Sequence, residues 1–368
     1  MDDFVRFPRQ HYAGCREYVP DLEQDVRQMF NPRRNAGLAF SSIQAFVAYQ
    51  GDEAVGRVAA IINRHANEKW QTRNVRFGLL EFTDDATVSA ALLAAVAQWG
   101  LEHGMTHVQG PMGITDFDKE GMLVEDFHLA GSMSAIYNYD YYPRHMEQLG
   151  FEKEVDWLQV RIQIPQEVPA RYARVAQYAR EQIGLKVRKL TDKEIRDGYG
   201  SKIFHLLNTA YSPIFGFTEL TEEQISNFIS QYIPLVDKRL MPVVENAEGE
   251  IVGVAITMNS MAGALQRSGG RIWPTGWVHL LDGLKWHKAD WAEMLLVAVR
   301  PDYQGLGVNA LFFDDLIPIY NKVGIRWAET GPQLEDNLRE LSQWKPLKPE
   351  FVKRRRCYTQ TIKNLVSI

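Results

Sequence analysis

The strongest chemical signal in the sequence is a glycine-bearing loop between an apolar strand and an apolar helix. The segment reads Val299-Arg-Pro-Asp-Tyr-Gln-Gly-Leu-Gly-Val-Asn-Ala310. Such a loop leaves backbone N–H groups free at the start of the helix, where the helix dipole also favours an anion. Gly305 and Gly307 let the backbone approach that ligand closely. The loop therefore predicts a phosphate site, although an ordinary strand-to-helix turn is also consistent with the two glycines.

Carboxylates lie on the strands that the pattern places around this loop. Glu293 belongs to the strand that leads into the loop, and Glu329 ends the next predicted strand. A carboxylate among apolar residues has a raised pKa, which suits a general base. Glu335 and Asp336 follow in the next loop, where a cluster of negative charge favours binding of a cationic amine. Each acidic residue alone is more typical of a helix cap or a solvated charge.

The elements that position these residues occur in two similar series. Each half of the chain reads hairpin, strand, helix, strand, helix, strand, which predicts mixed α/β sheets covered by helices. We place a boundary near residue 165, which gives modules of 1–165 and 166–368. The predicted strands are 45–49, 54–62, 75–82, 106–109, 155–164, 185–190, 240–245, 251–257, 292–299, 325–329 and 356–363, and the predicted helices are 86–103, 137–149, 201–211, 221–236, 305–322 and 336–344.

Composition limits the class of protein. The 368 residues include 45% hydrophobic and 24% charged residues, which is typical of globular domains. A net charge of −5 argues against nucleic-acid binding by bulk charge. Two cysteines, no secretory signal pattern and no apolar run of about 18 residues lead us to expect a cytoplasmic protein. His279 and His287 lack a third ligand, so no metal site is expected.

The phosphate loop resembles motif A of the GNAT acyltransferase family, Gln/Arg-x-x-Gly-x-Gly/Ala, and here it reads Gln304-Gly-Leu-Gly-Val-Asn309. The resemblance implies that the loop amides hold the pyrophosphate of acyl-CoA or acetyl-CoA, and that the splayed strands take the pantetheine as an extra strand. Asn309 stands where the family has Gly or Ala, and its side chain could narrow the phosphate cradle. Asn337 matches a loop Asn that contacts the cofactor in the family. The implied cofactor-binding residues are Val299, Gln304, Gly305, Leu306, Gly307, Val308, Asn309 and Asn337.

The first half looks like a second, degenerate GNAT module. Met146-Glu-Gln-Leu-Gly-Phe151 resembles the signature that precedes the last strands of the family. At the expected phosphate loop, however, the chain reads Glu81-Phe-Thr-Asp-Asp85. This segment has three carboxylates and no glycine, so its charge would repel a pyrophosphate. We interpret the first half as a scaffold or an acceptor-binding surface.

A wider pattern over about residues 10–363 resembles the tandem GNAT family of YghO-like proteins, which includes bacterial ceramide-synthase-like acyltransferases. It includes Gly110-Pro111, Gly121-Met-Leu-Val-Glu125, Gly270-Arg271 and Leu334-Glu-Asp-Asn337. The resemblance suggests transfer of a fatty acyl group from a thioester to the amine of a long-chain base. A short acyl group or another amine, small-molecule or lipid, is equally open to the fold.

The resemblance also suggests catalytic groups. GNAT enzymes often place a carboxylate base where Glu293 stands, and Glu329 lies at the expected splay between strands. They often carry a general-acid Tyr seven residues after the loop Asn, a position that is Trp344 here. We therefore expect Tyr358, Tyr303 or water to protonate the leaving thiolate.

Aromatic residues predict the acceptor site. The insertion 259–288 contains Trp273 and Trp277, and its aromatic density suggests a lid over an apolar acceptor or acyl chain. A wrapped surface loop with its own small core is the alternative interpretation. Tyr137 and Tyr142 are expected to line an acceptor groove, or to be core and surface aromatics. The basic run 353–356 suggests contact with anionic lipid or with the CoA 3′-phosphate, or a solvated strand edge.

The sequence thus predicts an acyl-CoA-dependent N-acyltransferase with possible peripheral contact at the inner membrane face. Three alternatives remain open. Acetylation of a small polar amine would need a small polar pocket. A non-catalytic acyl-CoA-binding protein is favoured by Asn309 and Trp344. An aminoacyl-tRNA-dependent peptidyltransferase is disfavoured by the acidic net charge and the CoA-like loop.

Overall fold

The structure is a computed structural model that describes residues 1–286 and 288–367, and the chain forms two compact units. The first unit contains residues 1–158, 261–283 and 352–368, and the second contains residues 159–260 and 284–351. These ranges differ from the predicted modules 1–165 and 166–368, because the insertion and the end of the chain pack with the first unit. Each unit has its own hydrophobic core.

Strands and helices are numbered in chain order. The strands are β1 Ser41–Gln50, β2 Glu53–Asn63, β3 Asn74–Phe82, β4 His107–Gly110, β5 Met122–Leu123, β6 Glu152–Gln163, β7 Lys186–Lys189, β8 Pro242–Glu245, β9 Ile251–Asn259, β10 Trp291–Val299, β11 Trp327–Thr330, β12 Gln333–Leu334 and β13 Glu350–Thr361. The helices are α1 Asp2–His11, α2 Glu23–Met29, α3 Arg64–Lys69, α4 Ala86–Glu102, α5 Tyr141–Gln148, α6 Ala170–Gln182, α7 Asp192–Glu194, α8 Gly200–Tyr211, α9 Glu222–Tyr232, α10 Ala262–Ser268, α11 Gly276–Lys285, α12 Val308–Val323, α13 Leu338–Ser342 and α14 Ile362–Val366.

The sheet of the first unit has the strand order β1-β2-β3-β4-β13. The β1–β2 and β2–β3 pairs are antiparallel, β3 and β4 run parallel, and β13 is antiparallel to β4. Helix α4 packs on β2 and β3. The core is formed by fully buried apolar side chains that include Val58, Phe77, Leu93, Val96 and Val108.

The sheet of the second unit has the order β6-β11-β10-β9-β8-β7, to which β6 contributes its last residues. Strands β10 and β11 run parallel, whereas β9 is antiparallel to β10. Helices α6 and α12 pack against each other. The buried side chains of this core include Val160, Val244, Val252, Leu311 and Ile317. The predicted mixed α/β fold is therefore confirmed.

Each unit is completed by a strand from the other half of the sequence. Strand β13 lies beside β4 in the first unit, with Tyr358 opposite Gly110. The last residues of β6 lie beside β11 in the second unit, with Arg161 opposite Glu329. The sequence pattern located both strands, but it assigned each to the module of its own half. A strand pattern identifies a strand and its buried face and does not identify the partner strand.

Candidate functional site

The loop between β10 and α12 presents an uncapped helix N-terminus. Gly305 has φ +83°, and Gly307 has φ +90° and is the N-cap residue of α12. Among the described residues, no side chain caps this helix. Since the first N–H groups of a helix have no acceptor within the helix, they remain available to an external anion. The geometry is that expected from the sequence for a phosphate cradle.

The two glycines have different surroundings. A Cβ atom on Gly305 would meet nothing within 4 Å, so this backbone borders open space. A Cβ atom on Gly307 would lie 3.0 Å from the Val175 side chain and 3.2 Å from Cβ of Ala179. Helix α6 therefore packs directly on Gly307, and the small side chains of α6 set how closely the loop and the helix approach each other.

Polar contacts anchor the first part of the loop. Arg300 donates to Asp302 and Glu250, and its guanidinium lies 4.6 Å from the centre of the Tyr303 ring. The Tyr303 hydroxyl accepts a hydrogen bond of 3.2 Å from Asn246, which belongs to the turn between β8 and β9. These contacts hold residues 300–303 to the sheet, so Tyr303 acts as an anchor in the structure.

Asn309, the departure from the family motif, has a defined partner. Its Nδ2 donates to Oε1 of Gln343 at 2.6 Å, and its Oδ1 is buried with no hydrogen bond among the described residues. The side chain therefore links the first turn of α12 to the segment after α13.

Strand β10 has an edge that β11 leaves uncovered. The parallel pairing runs from Trp291 opposite Trp327 to Met294 opposite Thr330, and the N–H of Gly331 donates to the Met294 carbonyl at 2.9 Å. Beyond that point β10 continues to Val299 in pairing with β9, after an irregularity between Met294 and Leu296. The predicted splay between the two strands is thus present directly before the phosphate loop.

Glu293 and Glu329 lie side by side in this splay. They are register partners on parallel strands, so both side chains project from the same face of the sheet. Each residue is only 2% exposed. The sequence could not show that these two carboxylates come together, because the residues are far apart along the chain. Their pairing follows from the parallel register.

The partners of the two carboxylates differ. Glu329 accepts hydrogen bonds from Arg161 at 2.9 and 3.2 Å and from Gln159 at 3.2 Å, both on β6. Glu293 accepts a hydrogen bond of 2.9 Å from the Ser260 hydroxyl. A guanidinium thus balances the charge of Glu329, and a neutral hydroxyl orients Glu293. Sequence reasoning missed Arg161, Gln159 and Ser260, since nothing local marks them as partners.

The loop after β11 contains the other predicted acidic residues. Glu335, Asp336 and Asn337 lie in the turn between β12 and α13, where Asp336 and Asn337 are exposed. The Asn337 carbonyl accepts from the Leu341 N–H at 3.0 Å, so this residue begins α13. The three residues belong to the same unit as the paired glutamates.

The positions expected for a general acid are buried. Trp344 is 4% exposed, packs edge-on against Phe313 at 5.4 Å and donates to Gln333, so it is a core residue. Tyr358 lies in β13, in the core of the first unit, at 1% exposure. Burial raises the pKa of Tyr358 to about 12. The structure therefore does not place Tyr358 in the unit that contains the two glutamates.

A tyrosine that the sequence did not single out lies on the uncovered edge of β10. The Tyr211 hydroxyl donates to the Val297 carbonyl at 2.9 Å and accepts from the Val297 N–H at 3.3 Å. The contact joins residues 86 positions apart, and no local motif marks it.

The first unit contains the remaining predicted substrate residues. Tyr142 is 1% exposed, and its hydroxyl contacts the Tyr12 hydroxyl and the Phe82 N–H, so it offers no surface to a substrate. Tyr137 is half-buried and donates to the Phe127 carbonyl at 3.3 Å. Both belong to an aromatic cluster of this unit, which favours the core interpretation.

The insertion forms helices α10 and α11. Gln266 donates to the carbonyls of Arg16 and Tyr18, and the Gly270 carbonyl accepts from the Glu23 N–H, so the insertion packs on the N-terminal segment of the first unit. Trp273 and Trp277 are 75% and 44% exposed. Two large apolar side chains at the surface are consistent with a contact site for an apolar group.

The acidic loop of the first half differs from the phosphate loop of the second half. Glu81 forms a buried ion pair with Arg57 at 2.5 Å, and Asp84 lies 2.8 Å from His145. Asp85 caps α4 by accepting from the N–H and the hydroxyl of Thr87, contacts that lower the pKa of Asp85. The start of α4 is thus occupied by a carboxylate of the chain, and the degenerate character of this module stays a prediction.

The basic run before the chain end is not a solvated cationic surface. Lys353 and Arg355 are each 1% exposed, whereas Arg354 and Arg356 donate to the buried carboxylate of Asp156. The prediction of contact with anionic lipid or with the CoA 3′-phosphate is therefore not supported at this segment. The alternating pattern of a strand, which places every second side chain inside, explains the burial of two cations.

Over residues 1–286 and 288–367 no group of three or more His, Cys, Asp or Glu side chains could hold a metal ion. His279 lies in α11, and His287 lies outside the described residues. In the same part of the chain, no helix is long and apolar enough to cross a bilayer.

The mixed α/β architecture is that of the tandem GNAT fold. Solved structures with this fold include a tandem GNAT protein from the clavulanic acid biosynthesis pathway, at a TM-score of 0.55 and 12% identity over 98% of this chain and 95% of that chain. A glucosamine N-acetyltransferase region of a fungal β-N-acetylglucosaminidase aligns at a TM-score of 0.57 and 12% identity, over 98% of this chain and 37% of that chain.

Two sequence relatives narrow this class. The protein YghO of Escherichia coli is 24% identical over 364 residues, which cover 98% of this chain and 92% of YghO. The bacterial ceramide synthase of Caulobacter vibrioides is 25% identical over 302 residues, which cover 82% of this chain and 78% of the synthase. No family model matches the chain. The chain is therefore similar to these two proteins over most of its length, and its fold is similar to that of the tandem GNAT structure.

Proposed function

We propose that the protein is an acyl-CoA-dependent N-acyltransferase that acts on an amine. The observation that carries this proposal is the splay in the second unit. There an uncapped helix N-terminus, an uncovered strand edge and two buried glutamates in register occur on consecutive elements. The relatives agree with an acyl-transfer reaction, since one of them is named a ceramide synthase.

In this proposal the cofactor binds along the loop and the strand before it. The N–H groups of Gln304, Gly305, Leu306, Gly307, Val308 and Asn309 lie on the loop and the first turn of α12, and those that are free would receive the pyrophosphate. The open space beside Gly305 provides room for it. The amides of the pantetheine arm would then pair with the uncovered edge of β10, which ends at Val299. Asn337 lies at the start of α13 and remains a candidate contact.

A charged amine must first release one proton to solvent, because only the neutral amine has a lone pair for attack. The neutral amine then reacts through one exchange of bonds and loses a second proton. The amine nitrogen forms a bond to the thioester carbonyl carbon, the carbon–sulfur bond breaks, and the amine gives up a proton. Glu293 is proposed to accept that proton, because it is a buried carboxylate oriented by the Ser260 hydroxyl. The departing sulfur takes up a proton and leaves as the thiol. Atoms and electrons therefore balance without an oxidant or a metal.

The acceptor is proposed to be an amine attached to an apolar chain. The name of the Caulobacter relative supports a long-chain base. The exposed rings of Trp273 and Trp277 are candidates for contact with that chain. Glu335 and Asp336 are candidates for attraction of the charged amine before it loses its proton, because opposite charges attract at close range.

The first experiment tests the cofactor site with two variants of one residue. Gly305→Asp adds a negative charge where the phosphate is proposed, and Gly305→Asn has almost the same shape without the charge. Both residues tolerate positive φ, and their Cβ atoms meet nothing within 4 Å. Calorimetric titration with CoA, acetyl-CoA and palmitoyl-CoA should show binding that the Asp variant weakens at least about tenfold more than the Asn variant.

Binding that is equally strong in both variants would contradict a phosphate site at this loop. If palmitoyl-CoA binds more tightly than acetyl-CoA, a fatty acyl donor is supported, and a transfer assay with a long-chain base and with a small polar amine then identifies the acceptor class. Failure of all three compounds to bind the unmodified protein would remove the acyl-CoA proposal.

A second candidate function is non-catalytic binding of acyl-CoA. The observation that favours it is Trp344, which is a core residue at the position where GNAT enzymes often carry an acidic tyrosine. Tight binding of acyl-CoA without acyl transfer to any amine of either class would support this function over the enzyme.

A further inference from the structure

Tyr211 occupies the edge of β10 where a third strand would bind. A strand residue directs its N–H and C=O groups to the same edge, and both groups of Val297 bond to the Tyr211 hydroxyl, at 3.3 and 2.9 Å. These groups therefore point away from β9, towards the side on which β11 ends its pairing at Met294. The hydroxyl fills a position that an amide group of an added strand would otherwise take.

A phenol hydroxyl can imitate a peptide group at such an edge. It donates one hydrogen bond and accepts another, so it satisfies a strand residue that has no partner strand. A buried backbone group without a partner costs free energy, which explains the value of such a substitute when the edge is empty. The Val297 N–H has a single hydrogen to donate, so the hydroxyl and a ligand amide compete for it.

The position of Tyr211 allows the hydroxyl to leave. Tyr211 is the last residue of α8, and the loop 212–220 follows it. The Asn208 side chain bonds to both the N–H and the C=O of Leu220, at 2.9 and 3.0 Å, so the ends of this loop stay together. A rotation of the Tyr211 side chain, or a shift of the loop, therefore opens the edge without unwinding α8.

We propose that Tyr211 is a removable hydrogen-bond plug on β10, and that an extended ligand chain with secondary amides displaces it from Val297. The pantetheine arm of an acyl thioester has this chemistry. The inference rests on the proposed function, which supplies such an arm, and adds a residue that regulates its binding. Ligand affinity then includes the free energy needed to break two hydrogen bonds within the protein.

The test compares two tyrosine variants. Tyr211→Phe keeps the ring, which packs edge-on near Phe217 at 5.7 Å, and removes the hydroxyl. Tyr320→Phe is the matched control, because the Tyr320 hydroxyl is a buried group of the same unit that bonds to Thr257 at 3.0 Å. Binding is measured with CoA, with pantetheine, which has the arm alone, and with adenosine 3′,5′-bisphosphate, which lacks the arm.

We expect Tyr211→Phe to bind CoA and pantetheine about fivefold more tightly than the unmodified protein, the ratio that one net hydrogen bond gives. Its affinity for adenosine 3′,5′-bisphosphate should not change. Without ligand, both variants should melt at a lower temperature. Addition of CoA should raise the melting temperature of Tyr211→Phe by more than it raises that of Tyr320→Phe.

Each other outcome overturns the inference. Equal or weaker CoA binding by Tyr211→Phe, beside normal binding by the unmodified protein, would show that the hydroxyl does not compete, and would leave the proposed function intact. Tighter binding of all three compounds, including the one without the arm, would show that the substitution changes the protein generally rather than the edge at Val297. No binding of CoA to the unmodified protein would remove both the proposed function and the plug.

Discussion

The two buried glutamates of the second unit have different partners, from which we infer different roles. Arg161 and Gln159 bind both oxygens of Glu329, so its charge is balanced within the sheet. Glu293 receives the Ser260 hydroxyl. Both oxygens of Glu329 already accept hydrogen bonds from β6, so we propose Glu293 rather than Glu329 as the base.

Replacement of Glu293 by Gln should therefore abolish most acyl transfer while the cofactor still binds. A general base contributes typically about 10²- to 10⁴-fold in rate, and the amide cannot accept the proton. The measurement is kcat with the acceptor amine, beside calorimetric affinity for the acyl-CoA. Ser260→Ala is the companion variant and should lose less rate, because it removes only the orienting hydrogen bond. Full activity of Glu293→Gln would exclude the assigned base.

His11 provides a pH-dependent prediction for the stability of the first unit. Burial, with a smaller contribution from Arg57, lowers the pKa of His11 to about 4. An unfolded chain binds the proton below about pH 6.5, whereas the folded chain binds it only below about pH 4, so stability falls as the pH decreases between these values. The loss amounts to about 3 kcal/mol.

Urea unfolding at pH 7 and at pH 4.5 measures this loss. His11→Phe keeps the stacking on Phe7, whose ring lies 5.2 Å away, and has no proton to bind. Its stability should decrease less over the same pH interval than that of the unmodified protein. Parallel pH profiles for the two proteins would contradict a neutral, buried His11.

At the residue scale, the sequence marks the proposed catalytic and cofactor-binding residues more clearly than the residues that contact them. Glu293, Glu329 and the loop glycines are marked by residue type and by position at strand ends. Tyr211 and Ser260 are ordinary polar residues whose partners lie 86 and 33 positions away, so only the folded chain brings them to the site. Tyr142 shows the opposite error, since an aromatic-rich segment does not reveal which rings are buried.

At the scale of elements, helices α4 and α12 show how one fold gives two different helix N-termini. The N-cap of α4 is Asp85, whose carboxylate accepts from Thr87, whereas the N-cap of α12 is Gly307 without a capping side chain. The first arrangement stabilises the helix. In the second arrangement, the backbone N–H groups of the first turn of α12 are not capped by a side chain and are proposed to bind a ligand. The capping pattern, which is readable from sequence, thus distinguishes the degenerate module from the one proposed to bind the cofactor.

Gly307→Ala should destabilise the second unit more than Gly305→Ala does. Both substitutions place an alanine at positive φ, which costs about 1–2 kcal/mol. Only the Cβ at position 307 also meets α6, at 3.0 and 3.2 Å, and such overpacking adds about 1–3 kcal/mol. Urea unfolding of the two variants measures the difference. Equal decreases in the free energy of unfolding would mean that α6 does not restrict the space at position 307.

Helix α6 was missed by the sequence analysis, although it packs on the phosphate loop. Its buried face consists of Tyr172, Ala176 and Ala179, and one large side chain with two alanines gives no marked hydrophobic period. Long periodic elements such as α4 and the β1–β2 hairpin were predicted closely, because their buried faces are large and regular. Close packing on a glycine requires small residues, and small residues give a weak sequence signal.

At the scale of the whole molecule, the exchange of strands between the two halves of the sequence determines which fragments of the chain can fold alone. The first unit needs β13 beside β4, and the second needs the end of β6 beside β11. The repeat pattern predicted the elements of both modules. It could not predict this exchange, because the pairing of distant strands is set by tertiary contacts rather than by local periodicity.

Fragments cut at the repeat boundary should therefore not fold independently. A fragment of residues 1–165 lacks β13, which leaves the hydrogen-bonding edge of β4 without a partner, and lacks the insertion 261–283. We expect each of the fragments 1–165 and 166–368 to show no cooperative thermal unfolding alone and to recover it when the two are co-expressed. Cooperative unfolding of isolated 1–165 would show that β13 is dispensable.

The exchanged strand also has a consequence for biosynthesis. Translation proceeds from the N-terminus, and roughly 250 residues separate β4 from the end of β13. At about 5–20 residues per second, the first unit must wait about 13–50 s for its last strand, long after its other elements have left the ribosome. During that interval the hydrogen-bonding edge of β4 lacks its partner strand on the nascent chain. Production of this protein should consequently depend on chaperones that bind before release.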